Sequence, residues 1–104
     1  MGEAKRKKAL AEALTKDFID QGRLIAVGFA SYREFCIPIN TSEAQVDAMR
    51  IAFFAGAQHV FGSIISMLGN DEEKDIERMD KINKELEDFT KELELRITKE
   101  MGNG

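Results

Sequence analysis

The 104-residue sequence predicts an all-α protein, a small three-helix bundle built around a buried central helix. Three observations carry that expectation. Ile51 to Leu68 contains no formally charged residue, whereas the segments on either side are dense in Lys, Arg, Asp and Glu. A helix that is apolar nearly all the way round has to be covered by neighbours or by lipid. The last third of the chain repeats an apolar residue every three or four positions, the spacing of one helix face. The single proline, Pro38, falls between two periodic stretches and ends the first of them, because the residue before proline avoids helical angles.

The first helix is expected over residues 3–36. Residues 1–8 are basic, with Lys5, Arg6, Lys7 and Lys8, and are expected to fray. Phe18, Gly22, Ile25, Phe29, Tyr32 and Cys36 then mark a helical stripe. Gly22 and Gly28 weaken it, so a break near residues 21–22 is expected, and LIAVGFA taken alone also fits a buried strand. The second helix, residues 43–68, opens on Ser42 with Gln45 three residues on, the capping-box pattern, and closes at Gly69 as its C′ residue. Its length is roughly 39 Å at 1.5 Å per residue.

This central helix has three faces. Val46, Met49, Phe53, Val60, Ile64 and Met67 form a large apolar side; Ala48, Ala52, Ala55, Gly56, His59, Ser63 and Ser66 form a small-residue side. Arg50, Phe54, Ala57, Gln58, Phe61 and Ile65 form the third. Two covering helices from one chain leave part of that perimeter open, so a homo-oligomer is expected. The third helix, residues 71–100, starts at Asn70 or Asp71 with an acidic first turn, as the helix dipole favours. Ile76, Met79, Ile82, Leu86, Phe89, Leu93 and Ile97 give it a seam close to a heptad. Acid-first pairs four apart, Glu77–Lys81, Asp80–Lys84, Glu87–Lys91 and Glu92–Arg96, line its outside. Residues 101–104, MGNG, are expected to fray. The whole chain reads as a single domain.

A net charge of −4 argues against nucleic-acid binding, which needs a basic face. One cysteine, Cys36, fits a reducing cytoplasm. The basic start runs into KALAEALTKD rather than an apolar run, so no secretory signal is expected. A membrane span over Ile51 to Leu68 is disfavoured by Gln58 and His59 at its centre. One His and one Cys at unrelated spacing, with no CxxC, HExxH or phosphate-binding glycine loop, predict no enzyme, no metal and no cofactor.

The polar residues of the central helix are the candidate site. Arg50 and Gln58 lie two turns apart with Phe54 between them and Phe61 beyond, a kit of guanidinium, amide and rings for a planar or anionic ligand. His59, Tyr32 and Arg33 complete the candidate ligand set. The plainer reading pairs Arg50 with Asp47 or with an acid of the third helix. An alternative partner surface is the acidic outside of the third helix, exemplified by Asp80, Glu87 and Asp88.

The stretch MRIAFFAGAQHVFGSIISML, continued by DIERMDKINKELEDF, resembles a group of small proteins encoded by phages and prophages of rhizobia-like bacteria. The specific part is Met49–Arg50 followed by AFFAGAQH, Ala52 to His59. The likeness extends from within the first helix through the third. It carries no activity and no functional residues. It implies context: a phage accessory protein in the cytoplasm of an infected host. By analogy, small acidic phage proteins antagonise host defence. Such a protein acts either by sequestering a nucleotide signal or by docking on a host defence protein, and a phage structural or regulatory adaptor is a further alternative.

Overall fold

The computed structural model describes residues 2–102. Four α-helices make up the regular structure of the described residues: α1 (Gly2–Asp20), α2 (Leu24–Cys36), α3 (Glu43–Met67) and α4 (Glu72–Gly102). The all-α expectation holds; the count of three does not, because the long first helix is divided. Gly22 takes φ +70°. Its N–H donates to the Ile19 carbonyl at 2.9 Å, and the Arg23 N–H donates to the Phe18 carbonyl at 2.8 Å. This paired closure is a Schellman motif, which uses a left-handed residue to satisfy the last carbonyls of a helix. Glycine adopts that conformation without a Cβ penalty. The chain then restarts as α2, which settles LIAVGFA as helix rather than strand.

Of the basic start, Gly2 to Lys8 belong to α1, with Glu3 in its first turn, and Met1 lies outside the described residues. Ala, Lys and Arg are good helix formers, and an early acid suits the dipole. At the other end, Met101 and Gly102 continue α4, while residues 103–104 of the expected tail lie outside the described residues.

α2 stops where Pro38 requires it to: Ile37 is extended, with φ −101° and ψ 125°. A turn follows, closed by the Thr41 N–H donating to the Pro38 carbonyl at 3.0 Å. Ser42 then caps α3 by accepting the Gln45 N–H at 3.2 Å, and its hydroxyl reaches Gln45 Oε1 at 3.2 Å. The sequence pattern is thus realised, although Gln45 binds the cap's hydroxyl rather than its backbone.

The chain falls into two compact units, one up to Val60 and one from Phe61 onward. The first has a small core: Phe29, Ile37 and Val46 are buried, and Phe53 and Phe54 pack against them. Phe29 meets Phe53 edge-on, with ring centroids 5.6 Å apart and planes at 66°. Tyr32 lies 6.0 Å from Phe53. A Cβ at Gly28 would stand 3.4 Å from Phe53 Cζ, an ordinary contact, so α2 passes close to this ring. Arg33 and Glu43 tie the end of α2 to the start of α3 at 2.9 Å.

The buried central helix is corrected as well. Val46 is the only buried residue of α3. The small-residue side, Ala48 to Ser66, is exposed throughout, and nothing would meet a Cβ at Gly56 or Gly62 within 4 Å. In the first unit α2 covers α3 only along the Val46–Phe53–Phe54 edge, which leaves the rest open. α3 is long and apolar enough to cross a bilayer, and its most apolar stretch has 0% of its residues buried.

In the second unit, α3 ends at Met67 without the expected glycine turn. Gly22 is the only glycine at positive φ among the described residues, so Gly69 is not a left-handed C′ residue. Its N–H instead donates to Asp75 Oδ2 at 3.2 Å. Asp71 caps α4 by accepting the Lys74 N–H at 3.1 Å. α4 buries no residue, and its seam is open: Ile76, Leu86 and Phe89 are each more than half exposed.

Candidate functional site

Residues three and four apart share one face of a helix, so α3 brings Asp47, Arg50 and Phe54 together. The Arg50 guanidinium carbon lies 5.2 Å from the centroid of the Phe54 ring, within cation–π range. Its Nη1 is 4.0 Å from Asp47 Oδ1, and both side chains are more than half exposed. An ion pair that long in solvent contributes little, at most about 1 kcal/mol. The ring is a second partner: the guanidinium sits over Phe54 while the Arg50 side chain stays more than half exposed. Gln58 is exposed one turn further along α3, and His59 beside it is also exposed. Phe61 belongs to the second unit and is 67% exposed.

Tyr32 and Arg33 have other partners. Tyr32 packs in the aromatic cluster, 6.4 Å from Phe29 and 6.0 Å from Phe53. Arg33 donates through Nη2 to Glu43 Oε1 at 2.9 Å. Of the expected ligand set, the structure thus joins Arg50 to Phe54 and assigns Tyr32 to packing and Arg33 to the α2–α3 corner.

That corner holds a cleft that sequence reasoning missed. It measures about 170 Å³ and is lined by Arg33, Glu34, Ile37, Pro38, Ile39, Thr41 and Val46. The signal was the pair of isoleucines flanking Pro38. Extended backbone would put residues two apart on one side, but the chain turns after Pro38, so Ile37 is buried while Ile39 stands fully exposed.

On α4 the acids Asp80, Glu87 and Asp88 are exposed, and Glu87 and Asp88 engage residues four apart. Asn83 Nδ2 donates to Glu87 Oε1 at 3.0 Å, and Lys84 Nζ donates to Asp88 at 3.1 Å. Lys84 was expected to pair with Asp80. Neighbouring exposed pairs differ by only tenths of a kcal/mol, so either choice is open to it. Glu92 and Arg96 meet at 2.7 Å, as the sequence pattern anticipates. Asp80 is exposed.

For chemistry, these groups offer recognition. Among the described residues no three His, Cys, Asp or Glu side chains gather in a way that could hold a metal ion. Cys36 is exposed at the end of α2. A guanidinium over a ring can still donate its in-plane N–H groups to a phosphate or a carboxylate. No protein-family model matches the chain, nor does any curated protein or solved structure.

Proposed function

We propose that this chain is a non-enzymatic accessory protein that assembles into a homo-oligomer and captures a small anionic, nucleotide-type molecule. The capture site is centred on Arg50, Phe54 and Gln58 and completed by a second copy. In an infected bacterial cytoplasm such capture removes a signal from host defence. The observation that carries the reading is Arg50, held 5.2 Å over Phe54 with only a 4.0 Å ion pair to compete. A preset guanidinium loses less freedom on binding an anion, and the adjacent ring offers a surface for a base. The open faces of α3 support assembly. Gln58 and His59 in the middle of that helix favour protein over lipid as its cover.

The test is equilibrium dialysis or calorimetry with a panel of cyclic and linear adenine and guanine nucleotides. The reading expects at least one to bind, and Arg50→Ala to weaken it tenfold or more without changing oligomer size. Undiminished binding by Arg50→Ala refutes the site.

A second reading is favoured by the open seam of α4. A 31-residue helix with an exposed near-heptad stripe has the form of a docking helix, and its acids Asp80, Glu87 and Asp88 would select a basic partner. Charge reversal at these three positions tests it by weakening capture of a host defence protein and reducing its salt sensitivity.

A further inference from the structure

We propose that the α2–α3 corner is a two-fold contact between copies of this chain, in which each copy lodges Ile39 in the other's corner cleft. The inference deepens the assembly part of the proposed function and is independent of ligand capture.

Ile39 has 104% relative exposure, the highest among the large hydrophobic residues. It is not carried on a slack loop. The turn that presents it is closed by the Thr41-to-Pro38 hydrogen bond, and buried Ile37 and Val46 anchor the backbone before and after it. Proline fixes one of the few torsions left to that turn. A fully solvated branched side chain on an anchored turn has most of its transfer free energy still available for binding.

The cleft beside it is the right size for such a side chain. At about 170 Å³ it matches the scale of a cavity that takes one benzene-sized apolar group, roughly 150 Å³. Buried Ile37 and Val46 line it, and Ile39 itself borders it. Projection and recess therefore adjoin on one patch. A two-fold interface needs this arrangement, because the same surface must serve both sides.

Charge points to a second copy rather than to an unrelated protein. Arg33 and Glu34, adjacent in sequence and opposite in sign, both line the cleft. In the proposed contact a two-fold axis pairs each copy's Arg33 with the partner's Glu34, so the attraction would occur twice. Glu34 forms no ion pair among the described residues, whereas Arg33 gives one of its five N–H donors to Glu43. The remaining donors can take a second carboxylate.

The experiment is sedimentation velocity on the full chain over a wide concentration range, comparing wild type, Ile39→Asp and Glu34→Lys. Ile39 is fully exposed, so the aspartate variant keeps wild-type helix content by circular dichroism. Ile39→Asp is expected to raise the self-association Kd about 30-fold or more, as loss of a central anchor does. Glu34→Lys is expected to raise it less, with an effect that shrinks at high salt. A wild type that is monomeric throughout, or an Ile39→Asp variant within twofold of the wild-type Kd, overturns the contact. An oligomer that survives Ile39→Asp and still binds nucleotide overturns the contact alone. One that Ile39→Asp dissociates, with no nucleotide bound by wild type, overturns capture alone.

Discussion

Replacing Phe29 by Ala removes the ring around which α2 and α3 pack. Phe29 is 6% exposed and belongs to a buried cluster of three. Phe→Ala in a well-filled core costs 3–5 kcal/mol. Here Phe53 and Tyr32 are partly open to solvent and can settle into the space, so the lower end applies, about 3 kcal/mol. That is a large share of the 5–15 kcal/mol typical of a folded domain. Part of the loss is specific to the edge-on contact with Phe53 and should emerge as a coupling of about 0.5–1.5 kcal/mol in a Phe29→Ala/Phe53→Ala double-mutant cycle. The protein supplies its own probe: it has one tyrosine and no tryptophan, and Tyr32 sits against both rings. Urea unfolding followed by tyrosine emission therefore reads the α2–α3 packing directly. A Phe29→Ala cost below about 1 kcal/mol, or single-mutant costs that simply add, would refute this description of the core.

Gly22→Ala should destabilise the chain by about 1–2 kcal/mol, with Gly22→Asn losing less, because position 22 is left-handed; thermal unfolding by circular dichroism measures both. Gly28→Ala should be neutral or stabilise by up to about 1 kcal/mol, since its Cβ would only reach ordinary contact with Phe53. Gly28→Leu, in the same assay, should cost several times that through collision with the ring. Asp71→Ala should cost about 1 kcal/mol and raise hydrogen exchange in the first turn of α4, where the Lys74 N–H loses its acceptor.

Much of the helical layout was legible because short-range chemistry decides it. Pro38 ended α2, Ser42 and Asp71 capped the helices that follow, and the charge-free run marked α3. The break expected near residues 21–22 falls at Gly22, but its form was not legible. What completes the break is a pair of backbone hydrogen bonds that leave no side-chain trace. Gly69 misled for the converse reason: it can adopt the left-handed turn, but the Asp75 carboxylate offered its N–H another partner. The extent of burial was not legible either. Periodicity tells which side of α3 is apolar but not whether a neighbour from the same chain covers it. At the candidate site, the nearness of Arg50 to Asp47 and Phe54 followed from spacing. The diversion of Tyr32 and Arg33 depended on where α2 crosses α3, which no local pattern encodes.

The most direct test of the central claim is native mass spectrometry of protein purified from bacterial lysate without detergent. The account predicts a discrete oligomer, with added mass matching a nucleotide when protein from cells producing the signal is used, and loss of that mass on denaturation. A monomer free of adduct under the same conditions contradicts it.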